Sequence, residues 1–117
     1  MLQKLIIIKS KEIFMKKILL SILATIALLA NSEELYKNCA GCHGENGQLA
    51  ALGQSKIITG QESNLSIKQL TAYKNSELNQ YGLGNIMQLQ LTNLNDDDIK
   101  ELAKYIENMQ ATEKTAP

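Results

Sequence analysis

Aromatic side chains are scarce in this chain of 117 residues, which has no tryptophan and a single phenylalanine, Phe14. The remaining aromatic rings are those of Tyr36, Tyr73, Tyr81 and Tyr105. A domain of this size has little hydrophobic core of its own, and this chain has few large side chains from which to build one. A bound group with a large apolar face would complete such an interior. We therefore expect the polypeptide without that group to be largely unfolded.

Histidine and cysteine are also scarce, and the one histidine and two cysteines all lie in the run Cys39-Ala40-Gly41-Cys42-His43. This run is a C-x-x-C-H sequence, the pattern to which c-type haem is attached. Each thiol can form a thioether with one vinyl group of the porphyrin, and the imidazole after the second cysteine can bind the iron. The run therefore predicts one covalent haem c, attached through Cys39 and Cys42, with His43 as an iron ligand.

Three other uses of this run are open, and each explains less of it. A structural zinc site needs four protein ligands, and two cysteines with one histidine supply three. A thioredoxin-like dithiol normally lies in a chain with strand and βαβ patterning, whereas almost nothing here alternates with a period of two residues. A structural disulfide between Cys39 and Cys42 would leave the adjacent His43 without a role.

The N-terminal segment has the features of an export signal. Met15-Lys16-Lys17 is a basic start, residues 18–30 are an apolar run of 13 residues, and Ala30-Asn31-Ser32 offers small residues before a cleavage site. A membrane span needs roughly 20 residues, so the run suits a signal peptide better. We predict a leader over residues 1–32, with its core at 15–32, and one exported, periplasmic domain over residues 33–117. A leader that stays attached as an anchor is the alternative, and translation could also begin at Met15.

The candidates for the second iron ligand can be narrowed by counting the histidines and methionines of the chain. Because His43 is the sole histidine, two histidines from one chain cannot hold the iron, and methionine is the remaining strong candidate. Outside the predicted leader the methionines are Met87 and Met109. Met109 falls on the apolar stripe of a predicted helix, whereas Met87 is predicted in a loop after Gly82 and Gly84. We predict Met87 as the second ligand; if it were only a core residue, the iron would be five-coordinate.

The charge of the predicted domain differs from that of the whole chain, which is formally neutral. Residues 33–117 contain seven lysines and eleven acidic residues, so their net charge is −4. No basic patch remains that could engage nucleic-acid phosphates. An acidic surface can instead steer docking onto a basic patch of a redox partner.

Helical patterns dominate the domain and predict three helices separated by loops. Ser32 is a candidate N-cap for a helix over residues 33–40, and the glycines between Gly44 and Gly60 indicate an irregular loop. A second helix is predicted over Leu65–Lys74 because apolar residues recur there at helical spacing. It is followed by a loop rich in asparagine and glycine.

The last helix has the clearest pattern. Asn95 is a good N-cap, and Asp96, Asp97 and Asp98 complement the positive end of the helix. Those three aspartates are predicted to cap the helix and not to bind a metal ion. The apolar stripe consists of Ile99, Leu102, Ala103, Ile106 and Met109.

Over most of residues 33–109 the chain resembles the small monohaem class I c-type cytochromes of bacterial periplasms. The runs that carry the resemblance are residues 34–44, 58–61, 69–73 and 94–106, with Met87 before the last of them. It implies an all-α cytochrome c fold of three to four short helices around one covalently bound haem. In this fold the N- and C-terminal helices cross, and Leu35 meets Leu102 or Tyr105. It also implies Cys39, Cys42, His43 and Met87 as the haem-binding residues.

The chain departs from the family pattern in one place, because its only proline is Pro117. Members of the family often have a proline after the haem motif, near the carbonyl that accepts a hydrogen bond from Nδ1 of the ligating histidine. Such a bond orients the imidazole ring and tunes its basicity. We therefore expect a backbone carbonyl within residues 49–58 to accept a bond from His43.

The resemblance implies an electron carrier and not an enzyme. A donor would be a quinol-oxidising cytochrome complex or a dehydrogenase, and an acceptor would be a terminal oxidase, a peroxidase or another reductase. Two other functions are open. One is a haem-based sensor or small-ligand binder with an open sixth iron position, and the other is the cytochrome subunit of a larger oxidoreductase.

Overall fold

The structure is a computed structural model that describes residues 1–110, without the side chains of residues 28–30. Across these residues it has four α-helices, one 3₁₀ turn and no strand, so the predicted all-α class is confirmed. The elements are α1 (Leu2–His43), the 3₁₀ turn (Ala51–Gly53), α2 (Ser63–Lys74), α3 (Gly84–Leu91) and α4 (Asp96–Glu107). Contacts divide the chain into two units, Met1–Asn31 and Ser32–Pro117. Residues 111–117 of the predicted domain lie outside the described part.

The first unit contains most of α1, and the side chains of residues 1–27 are all exposed. Helix α1 is the one helix in the described residues that is long and apolar enough to cross a membrane. A signal sequence near the N-terminus meets the same criterion of length and apolar composition. Residues 1–32 therefore stay a predicted leader, either cleaved or retained as an anchor.

The predicted start of a helix at Ser32 is wrong, because α1 continues through this residue, which is 7% exposed. Residues 2–40 contain neither glycine nor proline, the two residues that most disfavour a helix interior, so nothing in the local sequence stops the helix. It ends at His43, and Gly44 follows with a φ of +83°. A glycine in this left-handed conformation is a common helix stop. The haem motif therefore forms the last turns of α1.

The predicted irregular loop between Gly44 and Gly60 is confirmed, with the 3₁₀ turn inside it. At Gly47 the chain has a φ of +68°, and a Cβ there would lie 2.9 Å from the backbone nitrogen of Thr59. The carbonyl of Gly47 accepts hydrogen bonds from the backbone of Ile58 at 3.0 Å and Thr59 at 3.2 Å. These bonds join the two ends of the loop.

Helix α2 confirms the predicted second helix and begins two residues before the predicted start. Its N-cap is Glu62, whose carboxylate accepts hydrogen bonds from the backbone nitrogens of Asn64 at 3.1 Å and Leu65 at 3.0 Å. The helix ends at Lys74, as the asparagine-rich segment after it predicted.

Helix α3 lies in a segment that the sequence predicted as loop, so the placement of Met87 in a loop is wrong. The glycines and asparagines of residues 75–84 obscured the apolar residues Leu83, Met87 and Leu91, which follow one another at helical spacing. Asn79 also supports the first turn, because its Oδ1 accepts a hydrogen bond from the nitrogen of Gly84 at 2.8 Å.

Helix α4 confirms the sequence prediction at its start and along its buried face. Asn95 Oδ1 accepts hydrogen bonds from the nitrogens of Asp97 and Asp98, each at 2.9 Å, and the Asp98 carboxylate accepts one from the nitrogen of Asn95 at 2.9 Å. This reciprocal pair is a capping box. The stripe residues within the helix are buried, and Met109 lies just beyond the helix end, partly buried against the core.

The core of the second unit is a cluster of six buried hydrophobic residues: Tyr36, Leu70, Leu91, Ile99, Leu102 and Ile106. Helix α2 packs against both α3 and α4. The end of α1 meets α4 through the rings of Tyr36 and Tyr105, whose centroids are 5.5 Å apart. Leu35, the predicted contact residue, is partly buried at the edge of the cluster. The described ring contact to Tyr105 comes from its neighbour Tyr36.

Replacing Asn95 with alanine tests the cap of α4. We expect Asn95→Ala to lower the free energy of unfolding by about 1 kcal/mol, because two backbone N–H groups lose their acceptor. Denaturant unfolding of the haem-loaded protein measures the change. The control is Asn64→Ala, an exposed position in α2 that should change stability by less than about 0.5 kcal/mol. Equal losses in the two variants would contradict the capping role.

Candidate functional site

A cleft in the second unit contains all four residues that the sequence predicted as haem ligands or attachments, Cys39, Cys42, His43 and Met87. Its walls come from the end of α1, the loop with the 3₁₀ turn, and helices α2 and α3, with Ile106 of α4. They enclose about 1220 Å³ that no protein atom fills, part of it open to solvent. The structure thus brings together residues that are up to 48 positions apart in the chain.

The two cysteines lie three positions apart in the last turns of α1, so they share one face of the helix. Both are free thiols in the structure, Cys39 partly buried and Cys42 exposed. Burial raises the pKa of the Cys39 thiol to about 11, and the nearby Cys42 adds to the shift. Both sulfurs are therefore available for covalent attachment, and Cys39 stays protonated at neutral pH.

His43 is 8% exposed and lines the cleft from the last position of α1. Burial lowers the pKa of its imidazole and so favours the neutral ring, the form that binds metal ions. The expected bond from Nδ1 to a carbonyl within residues 49–58 is absent, and Nδ1 is a buried nitrogen without a partner in the described structure. The hydrogen bond that does join this segment to His43 runs from the nitrogen of Leu49 to the His43 carbonyl, at 2.9 Å.

The two candidate methionines occupy different places. Met87, in α3, is partly buried against the core cluster and lines the cleft. Met109 is also partly buried against the core cluster but is not among the cleft-lining residues. The geometry favours Met87 as a side chain that can reach a group in the cleft, even though it projects from a helix and not from a loop.

Sequence reasoning missed a polar part of the wall. Gln61 Nε2 donates hydrogen bonds to Ser66 Oγ and to Gln69 Oε1, each at 2.9 Å. Ser66 is 2% exposed, and it shares the cleft-facing side of α2 with Gln69, Leu70 and Tyr73. The helical spacing of these four residues was the available signal. Leu65, which the sequence placed on this side, is 44% exposed.

The residues present fit a covalent haem. Two free thiols on one helix face, a buried neutral imidazole directly after them and a thioether on another helix all border the same cleft. Its walls are predominantly apolar, as the face of a porphyrin requires. Among the cleft-lining residues, Lys56 is the one side chain with a permanent charge, and it is exposed.

Known proteins that are similar to this chain identify its family. The family model for cytochrome c matches residues 29–110. The chain is 33% identical over 96 residues to cytochrome c-553 of Helicobacter pylori strain J99, covering 79% of this chain and 96% of that protein. It is 31% identical over 87 residues to cytochrome c-553 of Nitratidesulfovibrio vulgaris strain Miyazaki F, covering 71% and 80% of the two chains. The chain belongs to the cytochrome c family.

Within that family it is a small monohaem class I c-type cytochrome, so the resemblance stated from the sequence is confirmed. Its cofactor is one haem c with its iron, covalently bound. The protein is a haem-based electron carrier, and its partners are redox proteins.

Gly84 offers a test of how tightly the start of α3 is held. A Cβ at this position would lie 2.5 Å from the carbonyl oxygen of Leu78 and 2.9 Å from Asn79 Oδ1. We expect Gly84→Ala to lower the free energy of unfolding by about 1–3 kcal/mol, the usual cost of overpacking. Denaturant unfolding of the haem-loaded protein is the measurement. Asn85→Ala, an exposed change in the same turn, is the control, and a stable Gly84→Ala variant would show that α3 can shift freely.

Proposed function

We propose that this cytochrome carries one electron at a time between respiratory redox proteins of the periplasm. In this proposal Cys39 and Cys42 attach the haem, and His43 and Met87 are the axial ligands of its iron. The observation that carries the proposal is that all four side chains border one cleft. The haem, when bound, supplies one-electron chemistry between the ferric and ferrous states.

His43 contributes a neutral imidazole at a fixed place. Burial keeps the ring unprotonated, so a nitrogen lone pair is available for the iron without first losing a proton. The position of the ring at the end of α1, directly after Cys42, ties iron ligation to covalent attachment.

Met87 would be the second side chain that binds the iron. A methionine paired with a histidine favours a relatively high reduction potential. Iron held by both side chains would have no place for a substrate, and for this reason we propose a carrier and not an enzyme. The placement of Met87 on a helix that packs against α2 limits movement of the thioether.

The proposed location follows from the N-terminal segment. We propose that residues 1–32 direct export, with the signal core at 15–32, and that residues 33–117 are the haem domain. The apolar stretch of helix α1 near the N-terminus is compatible with such a signal. If the segment is not cleaved, the same residues would hold the domain at the membrane.

The proposed partners follow from charge and family. The net charge of −4 over residues 33–117 favours partners with basic docking surfaces. The donor is proposed to be a quinol-oxidising cytochrome complex or a dehydrogenase, and the acceptor a terminal oxidase, peroxidase or reductase.

Substitution of the two methionines tests the axial ligand. Met87→Ala should abolish the sulfur-to-iron charge-transfer band of the oxidised protein, because the thioether sulfur is then missing. Met109→Ala is the matched control and should keep the band. It should lower the free energy of unfolding by no more than about 2–5 kcal/mol, since that side chain is only partly buried. Absorption spectroscopy and denaturant unfolding measure the two effects. The opposite pattern would assign the ligand to Met109.

The carrier function itself is tested on the exported protein. Intact mass should equal that of the polypeptide plus one haem and should show whether residues 1–32 are present. A redox titration should follow a single one-electron wave, and the reduced protein should change little when carbon monoxide is added. Ready binding of carbon monoxide would favour a sensor or ligand binder with an open iron position and would overturn the carrier proposal.

A further inference from the structure

Within residues 1–110, the imidazole ring of His43 has no hydrogen bond at Nδ1 that would fix its orientation. A ligating histidine usually donates its second ring N–H to a carbonyl, carboxylate or water, which fixes the ring. Here Nδ1 is buried and has no partner in the part of the chain that the structure describes. In the described residues, hydrogen bonds hold the backbone that carries the ring and do not reach Nδ1.

That backbone is held at two successive peptide groups. The nitrogen of Gly44 donates to the carbonyl of Ala40 at 2.8 Å, and the carbonyl of His43 accepts from the nitrogen of Leu49 at 2.9 Å. The carbonyl of Gly44 accepts from the nitrogen of Gly47 at 3.2 Å. All of these bonds lie between nearby residues, so by themselves they fix the shape of the turn but not its position in the domain.

One further bond ties the turn to the core. The hydroxyl of Tyr36 donates to the carbonyl of Gly44 at 2.7 Å, in a buried setting. Tyr36 is 3% exposed and packs its ring at 5.5 Å from the ring of Tyr105 in α4. A hydroxyl anchored in this way connects the residue after His43 to the helix that closes the core.

The Tyr36 hydroxyl stays a hydrogen-bond donor over the whole physiological pH range. Burial raises the pKa of Tyr36 to about 12, with a smaller contribution from Cys39. The phenol therefore keeps its proton, and without this donor the buried Gly44 carbonyl would keep only the longer bond from the nitrogen of Gly47.

We propose that Tyr36 is a positioning residue for the iron ligand: its hydroxyl holds the Gly44 carbonyl and thereby sets the orientation of His43. This rests on the proposed assignment of His43 as the ligand. In this role Tyr36 acts on the iron ligand indirectly. It acts through the carbonyl of Gly44, the residue after His43.

The test compares Tyr36→Phe with Tyr105→Phe in the haem-loaded protein. Each variant removes one hydroxyl from the same ring pair and keeps both rings, but only Tyr36→Phe removes the bond to Gly44. We expect Tyr36→Phe to retain covalent haem while shifting the midpoint potential and the low-spin g values of the oxidised iron. Tyr105→Phe should leave both at their wild-type values. Denaturant unfolding of both variants separates these shifts from a general loss of stability.

Two outcomes would overturn the positioning role. One is a Tyr36→Phe protein with wild-type potential and g values, whatever its stability. The other is an equal shift in both variants, which would indicate a general loosening of the ring pair. The assignment of His43 as the ligand is tested separately. A wild-type spectrum without an imidazole ligand would refute that assignment before any variant is compared.

A measurement on the wild-type protein covers the case in which Tyr36→Phe does not accumulate. The Tyr36 hydroxyl proton should exchange slowly with water and should show a coupling to the ¹³C-labelled carbonyl of Gly44 in nuclear magnetic resonance spectra. A rapidly exchanging hydroxyl proton without this coupling would overturn the proposal.

Discussion

The end of α1 at His43 is the constraint on which the rest of the haem site depends. Because the helix continues to this residue, both cysteines and the histidine lie in its last turns, and their relative positions are those of a helix. Gly44, with its φ of +83°, then turns the chain away. A longer helix would displace the loop that forms the next wall of the cleft, and a shorter one would release the thiols from a common face.

The core of the domain and the haem site are parts of one packing arrangement. Tyr36 belongs to the buried cluster and also bonds to the turn after His43, while Met87 packs against the same cluster from α3. Leu70, Leu91 and Ile106 line the cleft and are members of that cluster as well. A group bound in the cleft therefore completes the hydrophobic interior, which explains how a domain with so few aromatic residues can be stable. It also places both proposed axial ligands on helices, so that a change in iron charge need not be followed by a large rearrangement.

The sequence was sufficient to predict those structural features that depend on residues close together in the chain. The haem motif specified its own chemistry, the glycines marked the loop after it, and Asn95 with Asp98 defined the start of α4 through bonds that span three residues. The apolar stripe of α4 was read correctly because its spacing alone decides which face is buried. The family could also be recognised from these runs, as the match of the cytochrome c model to residues 29–110 confirms.

Predictions that depended on distant parts of the chain were the ones that needed correction. Ser32 is a suitable N-cap residue, but helix α1 continues through it because no glycine or proline interrupts the helix there. Helix α3 was not predicted, because the contacts that support it come from Asn79 and α2. The sequence by itself therefore determined the cofactor and the class of fold, and it singled out Cys39, Cys42 and His43 as the proposed attachment and ligand residues, since these depend on short motifs and helical spacing. Only the tertiary structure decided that Met87 and not Met109 borders the cleft, and that Tyr36 and not a loop carbonyl secures the turn at His43. Those choices depend on which side chains meet across the core, and no local pattern contains that information.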